Sequence, residues 1–477
     1  MLLHFVTDPS IGPKDRRLIR SHVMRGKNAG RPRPARTPLK HHNVIPPVSD
    51  SVEAFKLEES QAIDLRHTLK LDRLFWNELT IASFPEQVSA QTRRFVYQRM
   101  RMISKALYPP EFCTQLDLST YPWFQYILEE KAYFHTLLAI SSSFPSTLPF
   151  GSSAPPHFPS LPSTVHAHIS AAYTLTNILL SGPDACSDRA IAIVTMLAVF
   201  QRIHHQHDVG LVHFGGVRRM IEGRGGLSGV MRESRGIGGK VWRLALEFAL
   251  QDGTTPVFNL DEVPDTSITI QLGHHCSSSP PQIPNFIPTL EYTLCHHYTS
   301  VHALTHRLNS ISTPPSPTQS PKISPLDYSD LISHQLHRLL SYAPLNPSHR
   351  PINALDDLVH LVLVAIMTTL MPEYGHLQAR YDLLAGLLRD SIRRLGMGIE
   401  GLGYEGVLLW AIFVGKVTVL HREKDENEVC MLELTRKLRL RLKFVTWEET
   451  ERMLCGYGWI CVMYNRAGKK WWDRICS

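Results

Sequence analysis

Tyr133-Phe134-His135-Thr136-Leu137-Leu138-Ala139-Ile140-Ser141-Ser142 sits inside the stretch, Tyr121 to Leu227, on which the fold of this chain turns. Phe134, Leu137, Leu138 and Ser141 recur at helical spacing, so one face is apolar. The stretch opens with Tyr121-Pro122-Trp123-Phe124, where Pro122 suits a first helical turn because its missing N–H costs nothing there. It continues through His166–Leu180 and Ser187–His204. Ser187-Asp188 forms an N-terminal cap ahead of Ile191, Val194, Leu197 and Ala198. With Ile193 and Phe200 that helix is apolar almost all round, which predicts a central position. Asp208 is expected to cap the next helix, in which Phe214, Val217 and Ile221 share a face. Gly223 to Gly226 should stop it by admitting a left-handed residue, with Leu227 placed for the hydrophobic contact that follows such a stop.

The totals agree with a helical globular body. The chain has 477 residues, 43% hydrophobic and 19% charged, enough for one large core, while 33 prolines predict disordered inserts. The longest apolar run, Val359–Met371, is too short for a bilayer and contains His360, so a buried core helix is expected and a membrane partner is not. Met1 to Val6 is too short for a secretory signal and lacks a cleavage site. Eight cysteines, spread from Cys113 to Cys476 without a Cys-x-x-Cys pair, predict reduced thiols in a nucleocytoplasmic compartment.

Charge is unevenly placed. Residues 1–47 hold ten Lys or Arg against Asp8 and Asp15, a formal +8; since the whole chain is +7, the remaining residues sum to −1. Five prolines in the same segment and few apolar residues predict a disordered basic arm. Arg16, Arg17, Arg20 and Arg25 form a short basic motif suited to nuclear import. Gly30-Arg31-Pro32-Arg33-Pro34-Ala35-Arg36 is similar to an AT-hook, although Pro34 stands where a basic residue is commoner. An extended Arg-Pro segment is narrow enough for an A·T-rich minor groove, whose potential attracts Arg31, Arg33 and Arg36. Farther on, Asn309–Pro325 carries Ser/Thr-Pro steps at Thr313, Ser316, Ser320 and Ser324, which predict a disordered loop open to proline-directed phosphorylation.

The succession Leu107-Tyr108-Pro109, Tyr121–Phe124, Tyr133–Ser142, Val212–Ile221 and Pro256-Val257-Phe258 resembles the fungal-specific transcription factor domain, the helical regulatory region that accompanies a binuclear zinc cluster. The resemblance resumes at Leu408–Val417, similar to the family's apolar tryptophan helix, and at Val445-Thr446-Trp447-Glu448-Glu449. In that last motif Thr446 is placed as N-cap and Glu449 at the reciprocal position. It covers roughly residues 107–260 and 355–473 and is carried by the order of the motifs. Arg16–Arg25 is also similar to a basic motif at the N-termini of family members without a zinc cluster. That cluster needs six cysteines in a compact run, and here the first two are Cys113 and Cys186, so the cluster is absent. The resemblance implies an all-α, irregular multi-helix regulatory domain, nuclear or nucleocytoplasmic, that controls transcription through a small-molecule effector or the transcriptional machinery. The basic arm would add weak contact with A·T-rich DNA. The alternative is a protein- or ligand-binding module that has lost direct DNA binding, and a helical enzyme ranks third.

The division expected is a disordered arm over 1–47, helices over 48–260, a Pro/Ser linker over 261–290, a helix over 291–308, the Ser/Thr-Pro loop over 309–326 and the rest of the domain over 327–477. Within the second segment, Val96, Met100, Ile103 and Leu107 make an apolar stripe that Tyr108-Pro109 should end, and Gly236–Leu250 should bury Trp242, Leu246 and Phe248. Other chemistry is expected to be lacking. His204, His205, His207 and Asp208, and the pair His302 and His306, have no third and fourth ligand nearby in sequence and read as surface or helix-end histidines. The strings Gly396-x-Gly398-x-x-Gly401 and Gly401-x-Gly403-x-x-Gly406 follow a helix end at Arg393 and Arg394 rather than a strand, so a loop is expected. No nucleophile elbow, zinc-protease helix or phosphate loop occurs, so neither an enzyme nor a cofactor is expected. Thr435–Lys443 reads as a helix with a solvated basic face.

Overall fold

Ser187 behaves as its position predicts: its hydroxyl accepts from Ala190 N–H at 3.3 Å and starts a helix whose Ile191, Val194, Leu197 and Ala198 are completely enclosed. Ile191, Val194 and Leu197 each contribute about 1.5–3 kcal/mol when removed from water. The computed structural model describes residues 84–116, 122–143, 163–263, 284–312, 321–371, 381–397, 403–420 and 426–477. Among them are sixteen α-helices and no strand; one isolated parallel bridge joins Cys113 to Ile323. The first eight helices are α1 (Ala90–Leu107), α2 (Pro122–Glu129), α3 (Lys131–Ser142), α4 (Ser163–Leu180), α5 (Asp188–Ile203), α6 (His207–Gly223), α7 (Gly226–Glu233) and α8 (Arg235–Asp252). The other eight are α9 (Tyr292–Ser312), α10 (Pro325–Tyr342), α11 (Ala354–Leu370), α12 (Asp382–Met397), α13 (Glu405–Val417), α14 (Glu426–Leu442), α15 (Trp447–Tyr457) and α16 (Cys461–Cys476).

Two apolar helices organise the packing. α5 meets α3, α4, α6 and α8, while α11 meets α9, α10, α12 and α13. α8 against α10 joins the two groups, and there Trp242 Nε1 donates to His337 Nδ1 at 2.9 Å. Trp123, Phe134, Phe200, Phe214 and Trp410 are all buried, as the 3.6-residue period implied. In the second group, four successive carbonyls, Gly456 to Trp459, lie at the end of α15, where helical carbonyls lack intrahelical partners. They receive His302 Nε2 (3.1 Å), the Tyr298 hydroxyl (2.8 Å), Trp410 Nε1 (2.8 Å) and Asn309 Nδ2 (2.7 Å) in that order.

Several local expectations change. Gln206, not Asp208, stands at the N-cap of α6; Asp208 falls in the first turn, where its charge complements the exposed N–H groups. The left-handed residues after α6 are Gly225 and Gly226, both at φ +84°, and Gly225 starts α7, so the glycines make a joint between two helices. α9 continues to Ser312, and Ile323 is buried, its N–H donating to Phe112 O and its carbonyl accepting from Thr114 N, both at 2.9 Å. Short turns at Leu260–Glu262 and Ile287–Thr289 bury Val263, Phe286, Ile287 and Leu290 at either end of the Pro/Ser segment. On α14, Arg436 Nε donates to Ile475 O at 3.0 Å and Arg439 lies over the Trp472 ring. Two of its cations therefore fasten the last helix, while Lys437 and Arg441 face solvent.

Candidate functional site

One face of α8 repeats Gly236, Gly239, Lys240 and Arg243 at i, i+3, i+4 and i+7. Gly236, Gly239, Lys240 and Arg243 line a cleft on this face. Gly239 is closely approached: a Cβ there would lie 3.2 Å from Asp330 Oδ1 of α10. The cleft has a cavity volume of about 60 Å³, small beside the clefts that hold drug-sized ligands. α1 supplies Met100, Ile103, Ser104 and Leu107, completing the stripe read from sequence; α2 supplies Trp123 and Phe124; α3 supplies Tyr133, Leu137 and Ile140. Tyr108, Leu116, Met196, Leu326, Ser329, Asp330 and the two cations also line it. Trp123 is fixed in place by its indole N–H, which donates to Gly236 O at 3.2 Å, and by Tyr133, whose ring centre lies 6.1 Å away.

Lys240 is the amine that lines this cleft. Its Nζ lies 3.9 Å from the centre of the Trp123 ring and donates to Met196 Sδ at 2.8 Å. The side chain keeps some solvent contact through the cleft, but protein surrounds the nitrogen. Opposing effects act on its charge. Burial and the neighbouring Arg243 guanidinium push the Lys240 ammonium well below the usual lysine range; Glu247 opposes them. The Trp123 face also favours the cation, by about 0.5–2 kcal/mol, but a pKa unit corresponds to about 1.4 kcal/mol, so the ring offsets little of a large desolvation. The Glu247 carboxylate is engaged by Arg202. Burial is the largest of these effects, and it makes the ammonium less favoured here than on an exposed lysine.

Asp330 occupies the same wall and is almost wholly enclosed. Burial raises its carboxyl above the usual range, against the pull of Arg235, whose Nε donates to Asp330 Oδ2 at 2.7 Å. Arg235 also bonds Asp327 Oδ1 at 2.6 Å, tying the start of α8 to the start of α10.

Other clusters close on themselves. Ser143 Oγ lies 2.8 Å from His204 Nε2 and donates to Ala139 O at 2.7 Å. Its one proton is committed to that carbonyl, so His204 supplies the proton between them and cannot act as its base. His207 pairs with Asp252 at 2.5 Å, so the histidines read together from sequence turn to separate partners. His302 is buried on the Gly456 carbonyl, not at the surface as expected; its partner is remote in sequence. Gly396 and Gly406 lie within helices and no strand precedes them among the described residues. Among the described residues, no three His, Cys, Asp or Glu side chains come together as a metal site, and no helix is long and apolar enough to cross a membrane.

Arg16, Arg17, Arg20, Arg25, Arg31, Arg33 and Arg36 lie outside the described residues, as do Thr313, Ser316 and Ser320. Ser324 is the N-cap of α10: its hydroxyl accepts from Asp327 N–H at 3.3 Å and donates to Asp327 Oδ2 at 2.6 Å. Sequence reading missed Lys240 and Arg243. Their one local signal was the spacing of two glycines and two cations on a helix otherwise judged by its aromatic face. Comparison with known protein families, with curated proteins and with solved structures finds no match.

Proposed function

We propose that this chain is a transcriptional regulator, nuclear or nucleocytoplasmic, in which the helical body holds a small effector in the Lys240 cleft and the basic arm makes weak contact with A·T-rich DNA. The observation that carries the reading is the ordered set of motifs resembling the fungal transcription factor domain, from Leu107-Tyr108-Pro109 to Trp447. The cleft adds a place for an effector among the same helices, since Leu107, Tyr108 and Trp123 line it. Direct DNA contact is assigned to residues 1–47, because a body with net charge −1 has little electrostatic reason to approach a phosphate backbone. That same body charge favours a second reading, a binding module that reaches chromatin by association alone. Chromatin occupancy mapped for the full chain and for the chain without residues 1–47 tests both. Discrete enriched loci that depend on the arm are expected. Enrichment that survives the deletion favours association, and none with the full chain ends the transcriptional reading.

A further inference from the structure

The cleft has the walls of an apolar binding site, yet one of its polar atoms is an amine that is ion-paired with no carboxylate among the described residues. Among the described residues, no Asp or Glu comes within ion-pair distance of Lys240; its close contacts are the Trp123 face and the Met196 thioether. Buried ammonium groups normally require a carboxylate. A lysine set in an apolar pocket without one is a nucleophile, because the free amine carries the lone pair. The charged and titratable groups that share the cleft are Arg243 on the same helix, Asp330 on α10, and Tyr108 and Tyr133 across from them. Arg243 further disfavours the ammonium, and Asp330 is held by Arg235.

We propose that the cleft captures an apolar, ring-sized aldehyde or ketone by reversible imine formation on Lys240, a proposal that rests on the cleft being an effector site. The Lys240 amine adds to the carbonyl carbon to give a carbinolamine. Loss of water then leaves a C=N bond: both hydrogens of the amine and the carbonyl oxygen depart together as H2O, and no oxidant or reductant is consumed. Trp123, Phe124, Ile103 and Leu137 enclose the apolar part of the ligand and keep bulk water, which would hydrolyse the imine, away from the bond. Gly236 and Gly239 line the cleft beside the lysine.

Benzaldehyde with cyanoborohydride, applied to the full chain near pH 7, reads this directly, because hydride delivered to the imine carbon leaves a stable benzylamine. An ordinary exposed lysine is neutral in roughly one molecule in 2,500 at that pH. Peptide mapping should therefore find the adduct on Lys240 at least about tenfold above exposed Lys437 and Lys469. Lys240→Met, checked for helix content, should lose this adduct and keep the weak background. Benzyl alcohol, of the same shape without the carbonyl, is the control, with binding followed by ligand-observed NMR. If benzyl alcohol binds and benzaldehyde labels Lys240 no more than exposed lysines, imine capture is overturned and the effector cleft stands. If neither compound binds or labels, both fall.

Discussion

Lys240 and Lys416 are both buried beside a tryptophan, and they are held in opposite ways. Lys416, on α13, lies 4.7 Å from the Trp471 ring centre, donates to Leu420 O at 3.2 Å and has Glu428 Oε1 at 3.8 Å. Lys240 is closer to its tryptophan, at 3.9 Å, and among the described residues its other close polar contact is a thioether. The ring is common to both, so the ring does not decide the outcome. The carboxylate is the difference. The region around α13 to α16 gives its lysine a carboxylate and a carbonyl, and among the described residues the cleft over α8 gives its lysine neither.

Acid gives the largest effect, because other bases are buried as Lys240 is. Burial pushes His213, His297 and His337 down to about 4, and His360 down to about 3 with Arg350 adding to the effect. The unfolded chain takes up protons as pH falls through the ordinary histidine value of about 6.5, while the folded chain does not until its lowered pKa. Stability is therefore present above about pH 6.5 and drains away toward pH 4, at up to about 1.4 kcal/mol per unit for each fully suppressed histidine. Thermal melts should show a marked fall in Tm from pH 7 to pH 5. A flat profile would mean that these histidines are not buried neutral bases.

Asp357, at the start of α11, tests the same dependence on paired charge outside α13 to α16. Its carboxylate accepts from Arg350 Nε at 2.9 Å and from Arg394 Nη2 at 2.5 Å, and Arg350 reaches on to His360 Nδ1 at 2.9 Å. Asp357→Ala strands a guanidinium that is itself buried, and chemical denaturation should show a loss of about 3–5 kcal/mol. A loss below about 1 kcal/mol would show that this region does not depend on paired charge.

The two lysines themselves come next. Lys416→Met removes the donor to Leu420 O and one partner of Glu428, although Arg474 still bonds that carboxylate at 2.7 Å. A loss of about 1–3 kcal/mol is expected. Lys240→Met keeps the volume and removes an amine whose protonation the fold opposes, so stability should be unchanged or higher by about 1 kcal/mol. Equal losses at both positions would erase the distinction drawn here.

How much of this was legible in the chain follows from distance along it. The enclosed face of α5 and the Thr446–Glu449 capping box depend on residues three or four apart, and both are present as read. The carboxylate beside Lys416 lies only twelve positions on, yet nothing in a helical period points to it. The cleft is less legible still, since Met100, Trp123, Met196, Lys240 and Asp330 meet only after five helices pack. A period of 3.6 residues reports which face is buried. It does not report that a face of α8 will line a cleft.

The smallest expected effect separates the ring from the burial at Lys240. Trp123→Leu would open the wall and admit water, raising the lysine's pKa for an unrelated reason, so Trp123→Phe is the informative change. Phenylalanine keeps an aromatic wall but offers a cation a weaker face than indole does, and it cannot donate to Gly236 O. Losing part of an attraction that favours the ammonium should make the amine form easier to reach. The pH midpoint of aldehyde labelling at Lys240 should therefore move down by a few tenths of a unit, the share of one pKa unit that about 0.5 kcal/mol represents. An upward shift would mean that water had entered and that Trp123 acts as a seal. A drop of more than about one unit would mean that the ring, and not burial, sets the state of Lys240, and the contrast with Lys416 would then rest on the wrong residue.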